Sequence, residues 1–342
     1  MATWSAAEVA RIHAEALVFD GHNDTPVERV ARGEAPLQWM TRDPSFHADV
    51  PRMRAGGYDG GVFIVGNGAV ADLWVTTERV LSQVEAHGDV LALALTAGDV
   101  QRAKAAGRIA VLMGIEGAGR WLRGHVEVVA VVHRLGIRLL GLTHGEGGPE
   151  PGMLQASRSP FGPCTAAERD RARREAGGLT DFGREVLAAS NRSGLVTDLA
   201  HINDRAFYEV LELSSSPPIA SHTAVCALCP HWRCLTDDQI RALAAAGGVL
   251  GIAFAPMFID ERAPTVRRLV EHVRHAVDLV GVDHVGIGTD FDGLGDRVPV
   301  IPDVAGLPAL TAELLAAGFG EAEVKQIWGG NFLRVLRQAL GA

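Results

Sequence analysis

Apolar residues recur along this chain as short β-branched or aliphatic stretches separated by amphipathic segments. Eight such runs stand out, at 16–20, 61–65, 109–113, 138–142, 195–199, 218–221, 249–253 and 284–288. Their near-continuous apolar character predicts strands buried on both faces, as in a parallel sheet. Helical punctuation lies between them. Thr236-Asp-Asp-Gln239 is a capping-box pattern ahead of Ile240, Leu243 and Ala244, with Gly247 as the stop. Thr180 opens another helix, in which Phe182 and Val186 lie one turn apart and Ser193-Gly194 supplies the end. Residues 1–15 predict an additional N-terminal helix, and 331–341 a closing one with Phe332, Val335 and Leu336 on one stripe. Strands alternating with helices in this way predict an α/β fold, a (β/α)8 TIM-type barrel, as a single domain over 1–342. A doubly wound open sheet is the alternative, although no Gly-x-Gly-x-x-Gly follows the first run. The stretch 145–178, rich in Gly, Pro and charge, reads as a long loop leaving the rim, a candidate lid.

Composition narrows the class. A chain of 342 residues, 47% hydrophobic, can bury a large core. The net charge of -9 and a pI near 5.8 leave no basic footprint for nucleic acid. No run of 18 apolar residues predicts a membrane span, and Glu8, Arg11, His13 and Glu15 interrupt any signal-peptide core. Four cysteines in so long a chain do not form a small disulfide framework, and the expectation is a cytoplasmic protein. Cys226, Cys229, His231 and Cys234 resemble half a zinc knuckle, but Pro230 and Trp232 inside that window favour ordinary thiols.

The chemistry gathers at the C-terminal ends of the runs, the face on which barrel active sites are built. His22 and Asp24 follow the first run, Glu116 the third, His144 the fourth, His201 the fifth, His222 the sixth, and Asp290 with Asp292 the eighth. A lone histidine after a strand is usually a satisfied polar residue, but six strand ends converging on one rim predict a metal site. Imidazoles mixed with carboxylates suit zinc better than magnesium or calcium. Five ligands exceed the three protein ligands of a typical catalytic zinc, so two ions bridged by one carboxylate are expected, with metal-assisted hydrolysis as the reaction. Asp20 and Asp198, inside strands, are expected to support the ligands, and Asp292 to orient the loop around Asp290. His272 and His275, on a predicted outer helix, and His284, at a strand start, are expected to serve packing or solvent.

Asp20-Gly-His-Asn-Asp24, Gly114-Ile-Glu-Gly117, Leu142-Thr-His144, Gly178-Leu-Thr-Asp-Phe-Gly183, His222 with Arg233 and Leu235-Thr-Asp, Val285-Gly-Ile-Gly-Thr-Asp-Phe-Asp-Gly293 and Gly330-Asn-Phe-Leu-Arg334 occur in order over nearly the whole chain. In this the sequence resembles the renal (membrane) dipeptidases and their bacterial relatives, among the metal-dependent amidohydrolase-like barrels. The resemblance implies a binuclear zinc dipeptidase acting on small free-ended dipeptides, D-residue dipeptides included, and a homodimer. It implies His22 and Asp24 on one ion, His201 and His222 on the other, and Glu116 bridging. By the same resemblance Asp290 handles the proton passing to the leaving amine, His144 holds or polarises the substrate, and Arg233 binds its carboxylate, a task suited to a fork-shaped guanidinium. The sequence departs from the family after His144, around Arg233 in Trp232-Arg-Cys234, and at Ala255, where an aromatic is often found; these departures bear on substrate recognition. Another two-metal amide or lactone hydrolase, or a barrel that only binds a ligand, are the competing classes.

Overall fold

The structure, a computed structural model, describes residues 4–67, 72–144, 152–155 and 162–341. Nine strands form one parallel sheet: β1 Phe19–Asn23, β2 Gly60–Asn67, β3 Leu91–Leu93, β4 Ile109–Glu116, β5 Ile137–Gly141, β6 Val196–Asp198, β7 Ile219–Thr223, β8 Val249–Ile252 and β9 Val285–Ile287. Eight of them run round in the order β1-β2-β4-β5-β6-β7-β8-β9, and β3 hangs off β4 outside this path. The ring closes where Asn23 bridges Phe291, with Asp290 N–H donating to His22 O at 3.1 Å and Asp24 N–H to Phe291 O at 2.9 Å. This is the (β/α)8 barrel that the alternation of runs predicts; the extra strand Leu91–Leu93 was not foreseen.

Side-chain alternation splits the core in two. Val62, Ile64, Ala110, Leu112, Leu139, Val196, Ile219 and Val249 pack together with Phe332, Val335 and Leu336 of the helix Asn331–Leu340. Glu116 continues the 110, 112, 114 face of β4, so this set lines the barrel interior beneath Glu116 and Phe332 plugs its base. The opposite faces, Val111, Met113, Ile115, Leu250 and Ile252 among them, pack outward with the helices. Glycine lets strands approach the plug and one another: a Cβ at Gly288 would sit 1.8 Å from Ser221 O.

Helix starts follow the local signals. Ser5, Thr96, Thr165 and Thr236 each close a capping box, and each such cap is worth about 1 kcal/mol. Gly194, in the left-handed region at φ 71°, ends the helix Asp181–Ser193. Within 145–178, residues Ala166–Glu175 form a helix and Leu154 bridges Leu179, while 145–151 and 156–161, which the lid reading also covers, lie outside the described residues. Among the described residues no helix is long and apolar enough to cross a membrane.

Candidate metal centre

Register shifts explain how the strands deliver the candidate ligands. β1 is irregular between Asp20 and Asn23, β2 between Ile64 and Gly66, and β7 between Ala220 and Thr223. Such bulges re-aim side chains near active sites, and here they let His22 and His222 project from within β1 and β7 rather than from the loops beyond. Glu116 is the last residue of β4. His201, Asp290 and Asp292 follow β6 and β9 with φ of 64°, 63° and 68°. Three of the four non-glycine residues described in the left-handed region therefore stand at this rim, the kind of backbone strain that concentrates at functional sites.

The candidate ligands converge on Glu116. Its Oε1 lies 3.0 Å from His201 Nε2, 3.3 Å from His222 Nε2 and 3.7 Å from His22 Nε2, and its Oε2 lies 3.6 Å from His144 Nε2. His22 Nε2 is 3.1 Å from Asp24 Oδ2. Three overlapping donor groups result: His22, Glu116 and His222; Glu116, His144 and His201; and His22, Asp24 and Asp290. The residues singled out in the sequence thus come together, with Arg233, Asp290, Asp24, Glu116, His144 and His201 all lining one cavity of about 420 Å³. Glu28, Asn67, Met257, Phe258 and Leu294 line it too and were not foreseen from sequence. Ala255 is fully buried, and the aromatic at this wall is Phe258, over whose ring Arg233 Cζ lies at 5.4 Å.

The donor set fits a divalent cation. His22 Nε2, Asp24 Oδ1 and Glu116 Oε1 are buried with no hydrogen-bond partner among the described residues, an arrangement costly for polar atoms unless something binds them. Burial pushes His201 and His222 well below the ordinary histidine range, against the pull of Glu116. Neutral imidazoles with free lone pairs are what a metal requires. Burial opposes charge on His22 too, but Asp24 and Glu116 win and hold it up at about 10. A cation can take over the role that proton plays between the two carboxylates. Glu116 is the converse case, carried well below the usual carboxylate range by His144, His201 and His22 despite its burial. Asp290 moves the other way: burial and the neighbouring Asp24 raise its carboxyl well above the ordinary range.

Supporting groups fix these side chains. Ser221 Oγ donates to Asp198 Oδ2 at 2.5 Å and lies 2.8 Å from His222 Nδ1, which sets the imidazole with Nε2 toward Glu116. Asp20 accepts from Thr289 N–H and Oγ1, both at 2.7 Å, and from His22 N–H at 3.2 Å, tying β1 to the segment after β9. Asp292 accepts from Thr25 Oγ1 at 2.5 Å and from His47 N–H at 2.8 Å, which orients the loop beside Asp290. Arg233 is buried, donates through Nη2 to His222 O at 3.2 Å, and keeps Nε without a hydrogen-bond partner. Among the described residues the cysteines lie outside these donor groups. All four are free thiols, and Cys229 and Cys234 point to the carbonyls of Met257 and Phe258. His272 is a packing residue, bonded to Val225 N–H and Ile259 O, His275 meets Asp237, and His284 meets Gly248 O.

A family model described as membrane dipeptidase, peptidase family M19, matches residues 6–341. The chain is 32% identical to dipeptidase verJ of Clonostachys rogersoniana, over 96% of this chain and 86% of that protein. It is 30% identical to dipeptidase tcpJ of Claviceps purpurea, over 93% and 76%. Its fold superposes with a TM-score of 0.83 on a metallopeptidase from Rhodobacter sphaeroides solved with a phosphinate mimic of the dipeptide L-Ala-D-Ala, at 29% identity over 95% of this chain and 99% of that one. With the metal-competent cluster at the mouth of its barrel, this chain belongs to the membrane dipeptidase family M19 and is a metal-dependent hydrolase.

Proposed function

We propose that the protein is a binuclear zinc dipeptidase that cleaves small dipeptides with a free carboxylate, those with a D-residue included. Arg233 carries the reading: a buried guanidinium with an uncommitted Nε opens on the same cavity as the metal-competent cluster and Asp290. A cavity of about 420 Å³ is of a size for a small ligand. The mimic held by the Rhodobacter protein favours the D-residue part.

His22 and Asp24 would hold one ion and His201 and His222 the other, with Glu116 between them; the imidazole and carboxylate mixture favours zinc. When bound, two such ions polarise a carbonyl and make water acidic enough to attack near neutral pH. Around them the chain's own groups divide the work. Arg233 clamps the substrate carboxylate, with one edge braced on His222 O. His144, whose side chain is 20% exposed against 5% for His201, faces the cavity and holds the substrate carbonyl. Asp290, whose carboxyl is pushed up by burial and by the neighbouring Asp24, shuttles the proton to the leaving amine. A cytoplasmic homodimer completes the proposal; free thiols at all four cysteines support the reducing setting.

The experiment pairs a dipeptide panel, including D-residues, with the corresponding C-terminal amides. A charged hydrogen-bonded contact is worth about 1.5 to 3 kcal/mol, so wild type should prefer acid over amide at least about tenfold in kcat/KM. Arg233→Met should erase that preference, and elemental analysis should find close to two zinc ions per chain. Equal cleavage of acid and amide by wild type would move the reading to a broader amide or lactone hydrolase, and full activity with a single ion would end the bridged-pair assignment.

A further inference from the structure

The carboxylate end of a dipeptide has a partner in Arg233; its amino end, an ammonium ion, also needs one. In the ring order β1-β2-β4-β5-β6-β7-β8-β9, β2 stands four strands from β7, on the opposite side of the barrel from the strand that Arg233 follows. Two cavity-lining polar residues occupy that opposite side, Asn67 as the last residue of β2 and Glu28 on the helix Thr25–Ala31 after β1.

Their hydrogen bonding leaves them poised toward a cationic donor. Asn67 is 5% exposed, and its Nδ2 donates to Glu116 Oε2 at 2.9 Å. A carboxylate accepts only, so the amide must present nitrogen to Glu116, and its carbonyl Oδ1 turns elsewhere. That Oδ1 is buried without a hydrogen-bond partner among the described residues. Glu28 is half-buried, and no hydrogen bond or ion pair engages its carboxylate among the described residues. Asp24 and Asp292 add negative charge around it, and Arg32, one turn on, opposes them.

We propose that Glu28 and Asn67 Oδ1 form the anchor for the free α-ammonium group of the substrate, across the cavity from Arg233. The proposal rests on the dipeptidase reading and adds the residues that select a free amino end. With the carboxylate at Arg233 and the ammonium at Glu28, the scissile bond of a dipeptide falls over the Glu116 cluster between them. Longer peptides with a blocked or extended amino end place a neutral amide, in place of an ammonium, against Glu28 and Asn67 Oδ1 and bind poorly. Glu28 is a specificity residue in this account, since it holds the substrate without touching the reacting atoms.

The test compares a dipeptide with its N-acetyl derivative in wild type and Glu28→Gln, together with calorimetric binding of a phosphinate dipeptide analogue carrying a free or an acetylated amine. Wild type should favour the free amine at least about tenfold in both kcat/KM and binding. Glu28→Gln should lose about tenfold on the free-amine compounds, stay within about twofold on the acetylated ones, and keep its metal content. A loss equal on both series, or no loss on either, overturns the anchor while the dipeptidase reading stands. A wild-type protein that turns over no free-ended dipeptide and binds neither analogue overturns both.

Discussion

Gly293→Ala tests whether the geometry of the two rim carboxylates, rather than their mere presence, sustains activity. A Cβ added at Gly293 would meet Asp290 Oδ1 at 2.3 Å and Asp24 Oδ2 at 2.5 Å. Both oxygens would have to withdraw by roughly 1 Å to restore van der Waals contact near 3.5 Å. The backbone at Gly293 is not in the left-handed region, so alanine brings a spatial conflict and no conformational one. Both side chains border the cavity and can yield into it. The stability cost should therefore stay at the low end of the 1 to 3 kcal/mol typical of overpacking, a fall of a few degrees in Tm. Function should suffer far more, because about 1 Å of misplacement can cost about a hundredfold. The expected result is near-normal folding by circular dichroism, weaker metal retention against a chelator, and a turnover reduced by about two orders of magnitude. Wild-type turnover and metal affinity in this variant would refute the reasoning, since the carboxylates would then tolerate displacement. A collapse of the fold would refute it from the other side.

Two further outcomes follow from the surroundings of the site. Ser221→Ala removes the hydroxyl that links Asp198 to His222 Nδ1, so metal affinity in chelator competition should weaken by about 10- to 100-fold, and an unchanged affinity would deny Ser221 its orienting role. Burial and Asp24 raise Glu28 to about 7 from an ordinary 4.5, so the folded state binds the extra proton between those values and loses that stabilisation as pH climbs through about 7. Glutamine does not titrate, and the Tm of Glu28→Gln relative to wild type should therefore rise across pH 4.5 to 7; a constant offset would contradict this.

The barrel was legible because parallel strands covered on both faces must be apolar along their length, and their short runs stand out against the amphipathic helices. Leu91–Leu93 escaped because it is three residues long and pairs with β4 alone, where no strong pattern is needed. The metal-competent cluster was legible through residue type, since imidazoles and carboxylates repeated at strand ends suit metal binding far better than they suit packing. What type could not convey was direction, because the shifts in β1 and β7 that aim His22 and His222 inward leave no mark in composition. Asn67 and Ser221 act through partners distant in sequence, Glu116 and Asp198, and neither residue type announces such a role. Glu28 was within reach, four residues past Asp24 and so on the same helical face above the rim.

The seam that closes the barrel bears on when the protein can become active during synthesis. Asp20 is held by Thr289, a partner 269 residues further along, and the backbone pairs His22–Asp290 and Asp24–Phe291 tie the same two distant segments. The first strand can pair with β2 early, but a ribosome must release almost the entire chain before it finds its second neighbour across the seam and before Asp290 can stand beside Asp24. Nascent fragments that end ahead of β9 contain the imidazoles, yet they lack both the seam that joins β1 to the last strand and the Asp290 carboxylate, so a complete rim arrives in a single late step rather than growing with chain length.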